Sequence, residues 1–345
     1  MTSSTKKADP LLHIPTTIIT GFLGAGKTTL INHLLSVKPP SERWAVVVNE
    51  FGKIGVDGAL LGTRDGVSIK EIPGGCLCCS AGQAFEAGLN RLIRIARPNR
   101  LLIEPTGIGH PLKIISTLTS GYYRAVLDLK ATICLVDARK LGESRYSQHP
   151  AFRDQQSLAD ILVASKSDCY SAGDLELFMN LAESFNPKKL SMTTAAFGKL
   201  SPFLLDMDRD PSRTASYPLL HETAPGEVAS PAIDDSAPDN SPETAPDSWV
   251  MLEGSGAGYF TGSWQVGRGY RFQRSSLSAL LRSLHYLRIK GVMQCSDGWI
   301  SLNATDGEYQ FSPATPARTS RLEIIDSTHL PCIEIDAKLR GTLGE

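Results

Sequence analysis

From Ile14 onward, short runs of apolar and β-branched residues alternate with longer stretches in which apolar residues recur every three or four positions. The runs TTIIT (16–20), WAVVV (44–48), VSIKEI (67–72), RLLIE (100–104), ATICLV (131–136), DILVAS (160–165) and KLSMT (189–193) predict strands. Several are apolar almost throughout, as parallel strands covered on both faces are. Between them, residues 82–97 place Phe85, Leu89, Leu92, Ile93 and Ala96 on one helical face. Residues 27–37, 111–119 and 174–185 also read as helices. This alternation predicts an α/β fold, a doubly wound and mostly parallel sheet over residues 15–207. The polar residues 1–14 read as a flexible tail.

The pattern then breaks. Residues 208–247 hold seven of the 21 prolines, nine acidic residues and only two basic ones, Arg209 and Arg213. Such a segment cannot bury enough apolar surface to offset its ordering entropy, so it reads as a disordered linker. Order resumes in residues 248–345, with a strand at 264–272, a helix at 275–288 and strands at 289–295 and 298–303. These predict a smaller α+β C-terminal domain.

Composition narrows the field. Lys+Arg is 35 against Asp+Glu 36, a net charge of −1, which argues against a mainly electrostatic nucleic-acid binder. A 41% hydrophobic content is enough to bury a full core. No apolar run approaches the roughly 18 residues of a membrane span, and the start, MTSSTKKADPLLHIP, lacks the apolar core of an export signal. A cytoplasmic protein, with no membrane partner and with reduced thiols, is the expectation. The seven cysteines are an odd number, and three crowd together at Cys76, Cys78 and Cys79. That suits metal or redox chemistry better than a disulfide framework.

The strongest motif is GFLGAGKT at 21–28, a full GxxxxGK(S/T) between a predicted strand and a predicted helix. Its glycines let backbone N–H groups turn around phosphate oxygens, and the helix N-terminus adds a positive dipole end. Gly21, Gly24, Ala25, Gly26, Lys27, Thr28 and Thr29 form the expected nucleotide-binding set. Lys27 reaches the β- and γ-phosphates, and the Thr28 hydroxyl ligates Mg²⁺. Glu104, at the end of strand 100–104, is the expected carboxylate on the metal side. Gly107 follows it, and a residue without a side chain can bring its N–H close to a γ-phosphate. After strand 160–165 comes Ser165-Lys166-Ser167-Asp168. The Asp168 carboxylate can accept both N–H groups of guanine, and Lys166 can lie along the base. The common guanine-reading tetrad begins with Asn, so Ser165 is a departure. A helix N-cap is the alternative reading of the tetrad.

The run GGCLCC (74–79) offers soft thiolate ligands suited to Zn²⁺ or Cu(I), with a helix N-terminus to lower their pKa values. Three sulfurs leave an open fourth position, unlike a closed structural zinc site. Buried structural cysteines and redox sensing are the alternatives. In an open parallel sheet, ligands bind beyond the carboxyl ends of the strands. The phosphate loop, Glu104, the SKSD tetrad, the cysteine loop and Asn49-Glu50-Phe51-Gly52 all follow strands, so metal and nucleotide are expected to be neighbours. If the two nucleotide states hold residues 49–52 differently, metal affinity differs too.

In this order GFLGAGKTT, VNEFG, GGCLCC, EPTG and SKSD resemble the CobW-type metallochaperone P-loop GTPases. WAVVVNEFGKIGVDGALL and LLIEPTGIGHP are most similar to the YeiR-like zinc-binding branch, and RIKGVM (288–293) is similar to the smaller CobW-like C-terminal domain. The resemblance implies GTP hydrolysis, Mg²⁺, zinc (or cobalt) at Cys76, Cys78 and Cys79, and delivery of metal to a client metalloprotein by a monomer or homodimer. Catalytic roles are then expected for Lys27, Thr28 and Glu104, with Glu50 or Asp57 positioning the attacking water. Lys53 stands where many members have a carboxylate, and the linker holds only His221 rather than a histidine-rich loop. His110 is either an extra ligand or a structural histidine. Two other function classes stand beside the chaperone: a metal-storage or regulatory protein holding GTP without turnover, and a small-molecule kinase, for which no acceptor motif is visible.

Overall fold

The computed structural model describes residues 13–48, 66–71, 82–107, 109, 111–216, 245–256, 259–305 and 308–344. Two compact units divide the chain, residues 1–223 and 224–345.

In the first unit, strands β1 (Ile14–Gly21), β2 (Trp44–Val48), β3 (Val67–Glu71), β4 (Arg100–Glu104), β5 (Leu127–Leu129), β6 (Ile133–Val136), β7 (Ile161–Ser165) and β8 (Ser191–Ala195) form one sheet. Its order is β3-β2-β4-β1-β6-β7-β8, with β5 beside the start of β1. Every pairing is parallel. Helices α1 (Lys27–Ser36), α2 (Gly82–Ala96), α3 (Pro111–Leu118), α4 (Tyr123–Val126), α5 (Ser144–Ser147), α6 (Pro150–Leu158) and α7 (Ala172–Glu183) accompany it. Successive strand side chains feed opposite faces. Ile18, Val47, Leu101 and Ile103 pack with Phe85, Leu89 and Leu92 of α2 and with Ile114 and Ile115 of α3. Their neighbours Ile19, Val46 and Leu102 pack on the other face with Leu30, Ile31 and Leu34 of α1. Both faces are covered, which is why strands such as WAVVV carry no polar alternation.

Two expectations shift at their edges. The strand expected from Lys189 starts at Ser191, because Lys189 turns away to donate to the carbonyls of Gln156, Ser157 and Ala159, at the C-terminal end of α6. A cation there satisfies carbonyls that a helix end leaves without partners. Of the residues expected to form the linker, 208–216 are held to the first unit. Asp208 pairs with Lys130 at 2.8 Å. Arg213 Nε donates to Asp160 Oδ1 at 2.9 Å, with both side chains buried. Asp160 also accepts the N–H groups of Thr132 and Asp210, and Arg213 reaches the carbonyls of Pro187 and Lys188. Proline and acid content describe the segment as a whole and miss one arginine with a buried partner.

The second unit is an antiparallel sheet of β9 (Trp249–Gly256), β10 (Tyr259–Val266), β11 (Arg288–Cys295), β12 (Gly298–Thr305), β13 (Glu308–Pro313) and β14 (Ser320–Asp326), in the order β13-β12-β11-β14-β10-β9. Helices α8 (Arg274–Ser283) and α9 (Cys332–Arg340) bury Leu277, Leu281, Ile335 and Leu339 against Trp264, Ile289, Met293, Leu302 and Ile324. The strand expected at 264–272 lies at 259–266 instead. The N–H groups of Gly267 and Gly269 bond to the carbonyls of Ser248 and Pro246, which turns the chain out of the sheet. The expected helix ends at Ser283, not 288, because Arg288 already belongs to β11. Among the described residues, no helix is long and apolar enough to cross a membrane.

Breaking a buried ion pair by removing one partner typically costs about 3–5 kcal/mol, because the other charge stays buried. Arg213→Ala is therefore expected to destabilise the first unit by that order in denaturant unfolding. A loss below about 1 kcal/mol would show that residues 208–216 are not anchored there.

Candidate functional site

β1 ends at Gly21, and the chain turns through Gly24 (φ 69°) and Gly26 (φ 89°) into α1. Left-handed backbone at these two positions is what glycine tolerates and other residues resist. Gly26 caps the helix with no side chain bonded across its first turn, so the start of α1 has the form of an anion-binding helix terminus. The Ala25 side chain is buried in the core, and its N–H closes the loop on the Phe22 carbonyl at 3.1 Å. Lys27 Nζ donates to the carbonyls of Gly21 (2.9 Å) and Phe22 (3.3 Å), inside the loop. Phe22 is locked by three rings: Tyr146 and Phe152 edge-on at 5.4 and 5.6 Å, and His149 at 5.2 Å.

Strand register brings the acidic residue in. β1 pairs with β4 as Thr16↔Leu101 through Ile18↔Ile103, so Glu104 ends its strand beside the phosphate loop. The Thr28 hydroxyl donates to Glu104 Oε1 at 3.0 Å, and Glu104 is only 4% exposed. A hydroxyl and a carboxylate at this spacing form a hard-oxygen donor pair that fits Mg²⁺. Gly107 closes on the same loop. A Cβ there would lie 2.8 Å from Leu23 Cδ2 and 2.9 Å from Leu23 N, so only glycine fits.

The residues expected to meet the base, Ser165, Lys166 and Asp168, sit at the end of β7. Lys166 takes a left-handed backbone (φ 56°), and its ammonium lies 3.4 Å from Asp137. Arg139 also holds Asp137, with Nε and Nη2 at 2.9 and 2.7 Å. Burial alone would raise the Asp137 pKa, but these cations hold it below the usual carboxylate range. Asp168 is exposed and accepts the N–H of Phe197 at 2.9 Å, which lowers its pKa.

This contact belongs to a loop that sequence reasoning missed, Ala195–Lys199. Phe197 (φ 51°) touches Asp168. A Cβ on Gly198 (φ 73°) would fall 2.9 Å from Thr29 Cγ2. The loop therefore touches both the first turn of α1 and the SKSD tetrad. Its one sequence signal is a glycine just beyond a strand at the carboxyl edge. Ser165 is buried, and its hydroxyl has no hydrogen-bond partner in the structure. Tyr170 ties the loop down instead. Its hydroxyl accepts the N–H of Ala138 at 2.8 Å and donates to the Ser165 carbonyl. Burial pushes the Tyr170 pKa up to about 12.

Cys76, Cys78, Cys79, Glu50, Lys53, Asp57, His110 and His221 lie outside the described residues. What the structure does place is where the chain enters two of these segments. Val48 is in register with Glu104 on one side and Glu71 on the other. β2 and β3 therefore both end at the carboxyl edge at the level of Glu104. Among the described residues, no group of three or more His, Cys, Asp or Glu side chains could hold a metal ion.

Residues 15–192 match the CobW/HypB/UreG nucleotide-binding domain family. The chain belongs to this family. It is 37% identical over 318 residues to the zinc chaperone YeiR of Escherichia coli, covering 91% of this chain and 93% of that protein. It is 29% identical over 221 residues to the zinc chaperone CobW of a Sinorhizobium species, covering 56% and 62% of the two. The crystal structure of the Zn(II)-bound YjiA GTPase from Escherichia coli aligns with 97% of this chain and 99% of its own, at 22% identity and a TM-score of 0.45. The family's nucleotide-binding domain thus covers the unit in which Thr28, Glu104, Gly107 and Asp168 are gathered.

Overpacking a close contact costs about 1–3 kcal/mol. Gly107→Ala is expected to lower the melting temperature by a few degrees and guanosine triphosphate affinity roughly tenfold or more, read by fluorescent-nucleotide titration on the folded protein. Wild-type affinity in this variant would mean that Gly107 does not border the triphosphate.

Proposed function

We propose that this protein is a zinc-binding GTPase that acts as a metallochaperone, coupling GTP hydrolysis to delivery of metal to a client metalloprotein. The observation that carries the nucleotide half is the 3.0 Å contact between the Thr28 hydroxyl and the Glu104 carboxylate, which joins the phosphate loop to an acid on the next strand. Zinc is favoured over cobalt because relatives at this level of identity are named zinc chaperones, and because the run Cys76-Leu77-Cys78-Cys79 supplies soft thiolates.

The described residues divide the work. The glycine-shaped turn and the first turn of α1 cradle the phosphates. Lys27 leaves its carbonyl partners within the loop for the β- and γ-phosphate oxygens. Thr28 and Glu104 would hold Mg²⁺, which when bound would supply neutralisation of the phosphate charge. Asp168 accepts the two ring-edge N–H groups of guanine, with the loop 195–199 fixing its orientation. No arginine finger is assigned in this site, so unassisted turnover is expected on the order of 10⁻³ s⁻¹. The client is expected to change that rate or to draw the metal off the thiolates.

Coupling between two sites in one protein is typically worth about 1–3 kcal/mol, or roughly 5–150-fold in affinity. Zinc affinity, titrated with a chelator dye, is expected to differ by that factor between the GDP-bound protein and the protein bound to a non-hydrolysable GTP analogue. Equal affinities would remove the switch. Phosphate release is measured alongside, with and without Zn²⁺ or Co²⁺, in wild type and in Cys78→Ser. Turnover that the metal stimulates in wild type and not in the variant supports the chaperone. Turnover at background in every arm favours a storage or regulatory protein that holds GTP without using it.

Nucleotide choice has its own test. Asp168→Asn replaces an acceptor-only carboxylate with an amide that has a donor facing guanine's N–H groups. The preference for guanine over adenine nucleotides is expected to fall by about tenfold or more, the scale on which a buried polar mismatch discriminates. An unchanged preference would take the base-reading role away from Asp168.

A further inference from the structure

α6 backs the phosphate site from outside, and two of its residues reach both nucleotide loops. Phe152 holds Phe22 of the phosphate loop by its ring, at 5.6 Å. Gln155, three positions along the same helix, is 1% exposed. Its Nε2 donates to the carbonyls of Gly107 and Gly109, each at 2.9 Å. The Gly109 N–H in turn donates to the Thr106 carbonyl at 3.0 Å, so Thr106 and Gly109 are tied together with the Gln155 amide seated against Gly107 and Gly109. This is the turn that follows Glu104 and lays Gly107 against Leu23.

The other end of the same amide makes the arrangement more than packing. Gln155 Oε1 is buried and has no hydrogen-bond partner among the described residues. A buried acceptor left without a donor is unfavourable, and a methionine or leucine would fill the volume without that cost. Both side-chain N–H groups are used on the turn and the oxygen is left unmatched. The position thus serves the turn at the expense of its own satisfaction. α6 is itself held at both ends. The His149 side chain caps its N-terminus by accepting the Ala151 N–H, and Lys189 donates to carbonyls at its C-terminal end.

We propose that Gln155 is a positioning residue for nucleotide-state sensing. By holding the carbonyls of Gly107 and Gly109 it fixes the turn where Gly107 meets the γ-phosphate. It thereby sets how much more tightly the triphosphate is held than the diphosphate, and how fast it is cleaved. This rests on the guanine-nucleotide reading of the site. Gln155 touches no phosphate; it acts through the turn.

The test uses the full chain with Gln155→Met, which keeps volume and removes both donors, and Gln155→Glu, which keeps shape and turns the donor into an acceptor. Affinities for GDP and GTPγS are measured by fluorescence, and hydrolysis under single turnover. Losing two hydrogen bonds to the turn is expected to weaken GTPγS binding and slow cleavage roughly tenfold each, with GDP affinity held within about twofold. Leu158→Ala serves as the structural control, because Leu158 is buried on the same helix and makes none of these bonds; it lowers stability and leaves the GTPγS-to-GDP ratio at the wild-type value. The proposal is overturned if the ratio is unchanged in both Gln155 variants, or if Leu158→Ala moves it equally. Amide exchange at Gly109, read without nucleotide, keeps the two readings apart. If wild type binds neither nucleotide, the proposed function fails. Faster Gly109 exchange in Gln155→Met would then still show that this residue holds the turn, and unchanged exchange would overturn that as well.

Discussion

A carboxylate that is 4% exposed has to be given partners, and much of the first unit is arranged around meeting that demand at Glu104. The acid stands at the last position of β4, where the parallel pairing with β1 delivers it to the phosphate loop. The hydroxyl that meets it, Thr28, lies in the first turn of α1, two residues after a cap whose left-handed backbone glycine tolerates and other residues resist. An acid one residue earlier in β4 would point to the opposite face of the sheet, because strand side chains alternate. Sheet register, glycine conformation and burial are therefore one constraint seen three ways, and the site cannot keep its chemistry if any of them slips.

That constraint explains which parts of the molecule were legible in the sequence. The strands 44–48 and 100–104 lie where their apolar runs place them. A central parallel strand buries both faces, so its pattern admits no second reading. The helix at 82–97 is found at Gly82–Ala96 for a similar reason: one continuous apolar stripe, one core. Thr28, Glu104 and Gly107 were identifiable because loops that follow parallel strands converge on one edge whatever the tertiary detail. The second unit was harder. β14 carries Arg321 and Glu323 among its apolar residues, and β13 exposes most of its length. A half-solvated antiparallel strand of this kind looks like loop when no partner is known.

What the sequence hid is of one type, a contact between residues far apart in the chain. Arg213 reads as one charge in a proline-rich stretch until Asp160 is placed beside it. Tyr170 looks like an ordinary tyrosine just after the SKSD tetrad, but its hydroxyl joins the ends of β6 and β7. Ser165 signalled a weaker base-reading loop. The structure shows support from elsewhere, because a half-buried phenol bonded to two backbone groups holds this loop. Phe197 and Gly198 add a second brace from β8, which no motif announced.

The same geometry limits how metal and nucleotide could influence each other. Val48 is the shared neighbour of Glu71 and Glu104 across three adjacent strands. The segments leaving β2 and β3, which carry Glu50 and the three clustered cysteines, start level with the acid that faces Thr28. Strands in a covered parallel sheet are poor conduits for displacement, because both faces are packed and a slip of one residue reverses every side chain. A change at the triphosphate would therefore have to pass through the loops at the carboxyl edge and not through the sheet beneath. α6, the aromatic lock on Phe22 and the Lys189 cap hold the packed frame beneath that edge.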